Sequence, residues 1–288
     1  MGGGPSLRDG SWITALCFYV PSILLVCLLG VLASLDLITK RFRAAVLTAS
    51  LATVPAFFVL FVENSWLYGQ QNLPETFNVR LVHWNVCRGK LGWDCVQKTL
   101  VALDADIYVL SEVADDDDLQ QFAIALPSRY SVRRFSMMAV IAKGEVSSRG
   151  RLMNSGRAFV HFLTWRSDGV SLSLLAADFP ANPLVARDPH LQTLCKLVKQ
   201  HQPDLIVGDL NAPRRSRALC ALPDGYRHAY HSAGSGLGYT WPVPVPMYSL
   251  DHCIHGTSVL PSKYQLQSTS CSDHSLQVLD FSVSTALE

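Results

Sequence analysis

The stretch PDLIVGDLNAP, residues 203–213, joins a short apolar run to a group of polar residues. The run at residues 205–207 predicts a buried strand, and a Gly-Asp-Leu-Asn sequence closes it. Such residues commonly end strands and form turns, so the motif by itself is compatible with an ordinary loop. In an extended chain, however, residues two apart point to the same side, which would present Asp209 and Asn211 together. The surrounding sequence has to decide between these interpretations.

Short strand-like and helix-like segments alternate after residue 79. Strands are predicted at residues 79–86, 106–113, 136–143, 157–165 and 170–179, and helices at 92–105, 115–126 and 188–201. The three successive strands in the middle favour an α/β sandwich of layered sheets and helices over a single doubly wound sheet.

The N-terminal part of the chain is much more apolar than the rest. Of the 288 residues 49% are hydrophobic and 16% are charged, with a net charge of +1 and a mean hydropathy of +0.20. Residues 11–39 and 44–61 are each long enough to cross a bilayer, which takes roughly 20 apolar residues. We therefore expect a membrane anchor of two transmembrane helices at residues 1–64. A polar linker at 65–78 and a folded domain at 79–288 would follow.

The basic residues near these apolar segments predict an orientation. Lys40, Arg41 and Arg43 lie between the two segments, and by the positive-inside rule they mark the cytoplasmic side. The domain would then lie outside the cytoplasm, in the periplasm or extracellular space. The alternative is a signal peptide cleaved near residues 31–33, which a second apolar segment and the lack of a net positive N-terminal region disfavour.

The 8 cysteines include no Cys-x-x-Cys pair, so no zinc site is predicted, and disulfide pairing cannot be read from their spacing.

Polar residues recur where the predicted strands end, and their order matches a known family. The ordered set comprises Asn85, Leu-Ser-Glu ending at Glu112, Gly-Asp-Leu-Asn at 208–211, Leu-Asp-His around Asp251, and Ser-Asp-His at 272–274. Over residues 80–281 this set resembles the endonuclease/exonuclease/phosphatase superfamily, and YTWP at 239–242 also fits its pattern. The resemblance implies a four-layer α/β/β/α sandwich of the DNase-I-like type, here following a transmembrane helical hairpin. It also implies a metal-dependent phosphoric ester hydrolase.

The chemistry of phosphoester hydrolysis explains why these residue types would be needed. Negative charge develops on the transferred phosphoryl group, and a hard divalent cation with oxygen ligands stabilises it. We expect Mg²⁺, or Mn²⁺ in its place, with Glu112 as the principal ligand and Asn85 and Asp273 nearby.

The resemblance also implies roles for four catalytic residues. Asp209 would orient and deprotonate the attacking water, and Asn211 would donate its amide to a non-bridging oxygen. Asp251 would orient His274 and favour its imidazolium form.

One position departs from the family pattern. Asp178 stands where many members carry a histidine and others a tyrosine, and a carboxylate there would repel an anionic substrate unless it is protonated or binds a second cation. A metal ligand and a purely structural aspartate are the other interpretations. Three residues are candidates for substrate binding: Asp178, and Arg214 and Arg215, which follow the Asn211 loop. For the two arginines, the alternative is an exposed polar turn.

The expected function is therefore a membrane-anchored, Mg²⁺-dependent phosphoesterase that hydrolyses a phosphodiester or a phosphomonoester. The substrate would be a lipid head group, a small phosphoester or nucleic acid, and no protein partner is predicted. A net charge of +1 without a long basic stripe argues against a dedicated duplex binder. Two alternatives are a catalytically silent fold that acts as a binding module and a nuclease acting on extracytoplasmic DNA.

Overall fold

Two β-sheets lie face to face in the computed structural model, which describes residues 14, 18–66, 78–113, 116–126, 130–182 and 184–284. The first sheet has the order β11-β12-β1-β2-β4-β3 and the second β5-β6-β7-β8-β10-β9. The strands of the first sheet are β1 (Val79–Asn85), β2 (Ile107–Ser111), β3 (Tyr130–Phe135), β4 (Met138–Lys143), β11 (Val259–Gln267) and β12 (Leu276–Val283). Those of the second are β5 (Glu145–Ser155), β6 (Ala158–Ser167), β7 (Val170–Asp178), β8 (Leu205–Asp209), β9 (Arg227–His228) and β10 (Asp251–His255).

The α-helices of the described residues are α1 (Ser22–Ile38), α2 (Phe42–Phe57, extended by a π-helical turn at Phe58–Glu63), α3 (Trp93–Leu103), α4 (Asp116–Ala125), α5 (Asp188–His201) and α6 (Ala229–Ala233). Of these, α3, α4 and α5 cover the outer faces of the sheets. One apolar core fills the space between the sheets, a second packs α3 and α4 on the first sheet, and a third packs α5 on the second. The layers therefore run helix, sheet, sheet, helix, and the predicted α/β sandwich is confirmed.

Strand β8 shows how the stretch at residues 203–213 organises the second sheet. Leu205 and Val207 point into the core between the sheets, whereas Ile206 points into the core under α5. Both faces are covered, which is why the run is continuously apolar rather than alternating. Gly208 (φ +154°) is required by close packing, because a Cβ there would lie 1.7 Å from the carbonyl oxygen of Ala177 on β7.

The sheet pairing brings the polar strand ends together. Strand β1 runs parallel to β2, and β7 runs parallel to β8, so that Asp178 is in register with Asp209. Strand β10 is antiparallel to β8 and pairs Asp251 with Asp209. Carboxyl ends of parallel strands share an edge of a sheet, and the amino end of an antiparallel neighbour lies at the same edge, so strand pairing places Asp178, Asp209 and Asp251 side by side.

The N-terminal helices differ from the expected pair of spans. Within the described residues, one helix, Phe42–Glu63, is long and apolar enough to cross a membrane; α1 has 17 residues and is shorter. The apolar segment at residues 11–39 is interrupted: Tyr19 and Val20 are not helical, and α1 begins after Pro21. Proline disfavours helix in the residue before it, which explains the break.

The two helices pack antiparallel and their ends meet the domain. Ser22 Oγ at the start of α1 donates to Glu63 Oε1 (2.6 Å) after α2, and the Tyr239 hydroxyl donates to Glu63 Oε2 (2.7 Å). Ser65 forms a β-bridge with Gly236. Residues 67–77 of the predicted linker lie outside the described part of the chain.

A disulfide joins Cys95 on α3 to Cys271 before β12, with a Cα–Cα distance of 5.5 Å. It links residues 176 positions apart and fixes the loop that carries Asp273 and His274 against the helix layer.

Candidate active site

Asp209 occupies the end of β8 and is almost completely buried. Its Oδ1 accepts the backbone N–H of Asn211 (2.8 Å), and its Oδ2 accepts Nδ2 of Asn85 (2.9 Å) from the other sheet. Burial and the charge of Asp251 raise the pKa of Asp209 to about 7, although His274 and these hydrogen bonds oppose the rise. A carboxyl group that titrates near neutrality can accept a proton and release it again.

Asn211 reaches the site by a turn rather than by extended geometry. Its φ is +47°, a left-handed conformation that asparagine tolerates, so the expected extended pairing with Asp209 is wrong. The turn is closed by the Asp209 carboxylate, and the Asn211 amide donates to the carbonyl of Phe179 (2.9 Å). One N–H of that amide therefore remains for the cavity.

Asp251 and His274 form a buried charged pair, with 2.8 Å between Oδ2 and Nδ1. Burial alone would lower the pKa of His274, but the charge and hydrogen bond of Asp251 raise it to about 10. Burial would likewise raise the pKa of Asp251, yet His274 lowers it below its ordinary value. The ring is therefore an imidazolium at neutral pH.

A second histidine lies behind this pair and was not predicted. His83 Nδ1 is 3.8 Å from Asp251 Oδ1, and its ring is fixed by Gln277 (2.8 Å) and Ser111 (3.2 Å). Burial lowers the pKa of His83 to about 4, so this ring is neutral. His274 therefore carries the positive charge next to Asp251. No sequence motif marks His83, since a lone histidine on a buried strand is usually a core residue.

Glu112 and Asp273 supply oxygen donors next to Asn85. Glu112 follows β2 with a φ of +53°, and its Oε1 accepts Asn85 Nδ2 (3.2 Å). Asp273 Oδ2 accepts the indole N–H of Trp241 (3.1 Å), whereas its Oδ1 is buried and has no hydrogen-bond partner among the described residues. Asp273 and Glu112 line the same cavity, and carboxylate oxygens without a protein partner are the donors that a hard cation requires, so these residues fit a divalent metal. Asn85 turns its NH₂ group toward Glu112 and Asp209, and its oxygen accepts the N–H of Cys87.

A second group of potential ligands fits a metal less well. Ligand atoms of Asp209, Asp251 and His274 lie within 4.8 Å of one another, as in a metal site. However, Nδ1 of His274 is bonded to Asp251, and an imidazolium has no lone pair to offer. We interpret this group as the proton-handling part of the site.

Asp178 is buried beside Asp209 at the neighbouring strand end. Burial, together with the charges of Asp209 and Glu112, raises the pKa of Asp178 well above its ordinary value. This environment favours the protonated form of Asp178. Of the interpretations open from sequence, the protonated one agrees with this environment.

Part of this set lines a cavity of about 720 Å³, whereas Asp178 and Asp251 are not among its lining residues. Its lining includes Glu112, Asp209, Asn211, Asp273, His274 and Trp241.

Arg187 also lines the cavity, although no sequence motif marks it. It is 7% exposed, donates to the carbonyl of Ala181 (2.8 Å), and its Nε has no hydrogen-bond partner. Within the described ranges, no carboxylate lies within ion-pair distance of its guanidinium. It precedes an ordinary helix, and only its burial makes it notable.

The two arginines predicted to bind substrate lie elsewhere. Arg214 is buried against Tyr230 (4.1 Å to the ring centroid) and donates to the carbonyls of Gly238 and Glu63. Arg215 stacks on Phe58 (5.2 Å) of the N-terminal helices. Neither lines the cavity around Asp209. They connect the domain to the N-terminal helices instead.

Solved structures with a similar fold include enzymes on different substrates. Truncated TDP2 from Caenorhabditis elegans is 20% identical, with a TM-score of 0.55, over 70% of this chain and 97% of that chain. TDP2 from D. rerio, complexed with a single-strand DNA product, is 15% identical (TM-score 0.55; 70% and 98% covered). A mannosyl-6-phosphatase from Bacteroides thetaiotaomicron is 12% identical (TM-score 0.56; 71% and 99% covered). At these identities the similarity shows the fold alone.

Sequence comparison identifies the family. No curated protein matches the chain. The sequence profile of the Endonuclease/Exonuclease/phosphatase family matches residues 82–274, about two thirds of the chain and the segment that contains Asn85, Glu112, Asp209, Asp251 and His274. The chain therefore belongs to the endonuclease/exonuclease/phosphatase family, whose members are hydrolases of phosphoric esters.

Proposed function

We propose that this protein is a membrane-anchored, Mg²⁺-dependent phosphoesterase. One observation carries the proposal: Asp209, the imidazolium of His274 and the carboxylates of Glu112 and Asp273 face one cavity. A base that titrates near pH 7, a fixed positive charge and an oxygen-rich corner for a cation are the groups that water attack on a phosphoester requires.

The roles follow from the contacts of each side chain. Asp209 accepts a proton from water as the water oxygen attacks phosphorus, and the bond from phosphorus to the leaving oxygen breaks. The leaving oxygen takes a proton from solvent. His274 is fixed through Nδ1, which leaves Nε2–H to donate to a non-bridging oxygen, together with the free N–H of Asn211. A divalent cation held by Glu112 and Asp273, with Asn85 beside it, would neutralise charge on the phosphoryl group.

The proposed anchor consists of α1 and α2, with the domain outside the cytoplasm. In the helix Phe42–Glu63, the most apolar 18-residue window is only 11% buried, unlike the core helix of a soluble protein. Lys40 and Arg41 lie at the end of the helix pair opposite Ser22 and Glu63. The Cys95–Cys271 disulfide supports an oxidising compartment. In this proposal, residues 1–64 form the anchor, residues 65–78 the linker and residues 79–288 the catalytic domain.

The test uses the full-length protein purified in detergent. Hydrolysis of bis(p-nitrophenyl) phosphate, p-nitrophenyl phosphate and DNA is measured with Mg²⁺, with Mn²⁺ and with EDTA. We expect turnover that EDTA abolishes and that Asp209→Ala or His274→Ala lowers at least about 100-fold. Asp224→Ala is the matched control, because this aspartate is exposed and remote from the cavity.

Each alternative predicts a different result. Absence of turnover for all three substrates would favour the silent binding module, and hydrolysis confined to DNA would favour the nuclease. Equal losses in the Asp209 variant and the Asp224 control would refute the assigned role of Asp209.

A further inference from the structure

One wall of the active-site cavity is made by the N-terminal segment. Tyr19, Val20, Pro21 and Leu24 line the same cavity of about 720 Å³ as Asp209 and His274. The non-helical residues Tyr19 and Val20 and the N-cap Pro21 precede α1, so this part of the wall lies where the helix is interrupted. The catalytic groups therefore face an apolar surface that belongs to the proposed anchor.

This wall continues along α1 as an apolar stripe. Leu24, Leu28, Val31 and Leu35 follow one another at intervals of four, three and four residues, which places them on one face of the helix. They are 44%, 56%, 58% and 51% exposed, so the stripe is open along its length. A hydrocarbon chain that leaves the cavity past Leu24 would meet apolar side chains over the length of α1, about 25 Å at 1.5 Å per residue.

A cation marks the boundary between the polar and apolar parts of the cavity. The guanidinium of Arg187 lies 5.5 Å from the centre of the Tyr19 ring, next to the apolar wall. It is buried, and among the described residues its Nε has no hydrogen-bond partner and its guanidinium has no carboxylate within ion-pair distance. A buried guanidinium in such surroundings is costly unless a ligand supplies the anion. An anionic head group in the cavity would supply it.

We propose that the substrate is a phosphoester of a long-chain lipid, a proposal that rests on the phosphoesterase function above. The reacting phosphorus would lie at Asp209 and His274, and an anionic oxygen of the head group would contact Arg187. The hydrocarbon chain would pass Val20 and Leu24 and continue along the stripe of α1. A polynucleotide has no apolar part of comparable length to cover this wall.

The test compares esters that differ only in chain length. The full-length protein in mixed micelles is given p-nitrophenyl hexadecyl phosphate and p-nitrophenyl ethyl phosphate, and, as a monoester pair, hexadecyl phosphate and ethyl phosphate. Rates are measured at a fixed detergent-to-substrate ratio with Mg²⁺ and with Mn²⁺. We expect kcat/KM for a hexadecyl ester to exceed that for its ethyl partner at least about 10-fold, because burial of methylene groups favours the long chain.

Two variants test whether the wall causes this preference. Leu24→Ser and, separately, Val20→Ser should reduce the hexadecyl-to-ethyl ratio toward 1. Leu25→Ser is the matched control: Leu25 is an exposed leucine of the same helix turn that does not line the cavity, and the ratio should remain unchanged.

The outcomes separate this inference from the function on which it rests. Turnover of the ethyl esters without a preference for the long chain would overturn the lipid proposal and leave the phosphoesterase standing. Absence of turnover for all four esters, with either metal, would overturn both. A wild-type preference that persists in both wall variants, or that Leu25→Ser removes equally, would overturn the assignment of the chain to this wall. If a wall variant fails to fold, the wild-type ratio still decides the substrate class.

Discussion

Replacing Asp251 by asparagine should lower the pKa of His274, so that the ring loses its positive charge at a lower pH while it keeps a hydrogen-bond partner. The pKa of His274 is raised to about 10 from an ordinary value of 6.5. At about 1.4 kcal/mol per pKa unit, this difference corresponds to about 5 kcal/mol in favour of the imidazolium. The Asp251 charge and hydrogen bond are the largest contributions that raise the pKa, and burial opposes them. In Asp251→Asn, we therefore expect the pKa of His274 to fall by at least about 2, toward its ordinary value.

The assay is an NMR titration of the His274 ring in metal-free full-length protein. The wild-type ring should stay protonated up to about pH 9, whereas the variant ring should lose its proton at or below about pH 8. At pH 8 the hydrolysis rate of the variant should fall about 100-fold or more, since a charged donor to the phosphate becomes a neutral one. A pKa within about one unit of the wild-type value would refute the assignment of the charge to this pair.

The Asp251–His274 pair also predicts how the free energy of unfolding changes with pH. The folded-state pKa of His274 lies above the unfolded value, so its stabilisation is fully present below about pH 6.5. It is lost as the pH rises through about 10. The difference in unfolding free energy between the wild type and Asp251→Asn, measured by urea denaturation, should therefore shrink between pH 7 and pH 10. A difference that is constant or grows with pH would contradict this linkage.

Three further predictions concern neighbouring residues. Gly208→Ala should cost at least about 3 kcal/mol of unfolding free energy in urea, because its Cβ would overlap the β7 backbone; wild-type stability would contradict the packing. Reduction of Cys95–Cys271 should lower stability by about 3 kcal/mol, and mass spectrometry should show both thiols blocked to alkylation before reduction; alkylation without a reductant would exclude the bond. Asp178→Asn should keep kcat/KM within about 10-fold of wild type, since burial and the neighbouring acids favour the neutral acid, which a neutral amide resembles, whereas Asp209→Asn should lose about 100-fold or more; equal losses would mean that Asp178 acts as an anion.

The strand ends of the site could be predicted because their signal is local. Each apolar run that ends in Asn85, Glu112 or Asp209 carries its own pattern. Parallel pairing of β1 with β2 brings Asn85 next to Glu112, and the face-to-face packing of the two sheets brings Asp209 to them. Asn85 and Asp209 are 124 residues apart in sequence, yet their side chains lie within 2.9 Å. The pairing of Asp251 with His274 came from the family resemblance, since no local pattern specifies a partner 23 residues away.

The residues that were missed or misplaced depend on tertiary packing. Arg187 is notable only because it is buried beside the cavity, which no sequence period encodes. The basic run that begins at Arg214 predicted an anion site, but Arg214 is buried on Tyr230 and satisfied by carbonyl groups. The mean hydropathy of residues 11–39 conceals the break before α1, although Pro21 marks it.

The balance of charge in the cavity explains how an acid can stand at position 178. Among the described residues, Glu112, Asp209 and Asp273 line the cavity and Asp251 lies behind His274, whereas the cationic side chains of the lining are His274, Arg187 and Lys90. The acids outnumber these cations, so the site would repel a phosphate unless it binds a divalent cation. A fifth negative charge at Asp178 would increase this repulsion, and burial together with the neighbouring charges raises the pKa of Asp178 and so favours its protonated form. A protonated carboxyl offers an O–H donor, as a histidine offers an N–H, while adding no charge. Removal of the divalent metal should therefore weaken substrate binding as well as the chemical step, whereas the replacement of histidine by aspartate at this position is compatible with phosphate binding.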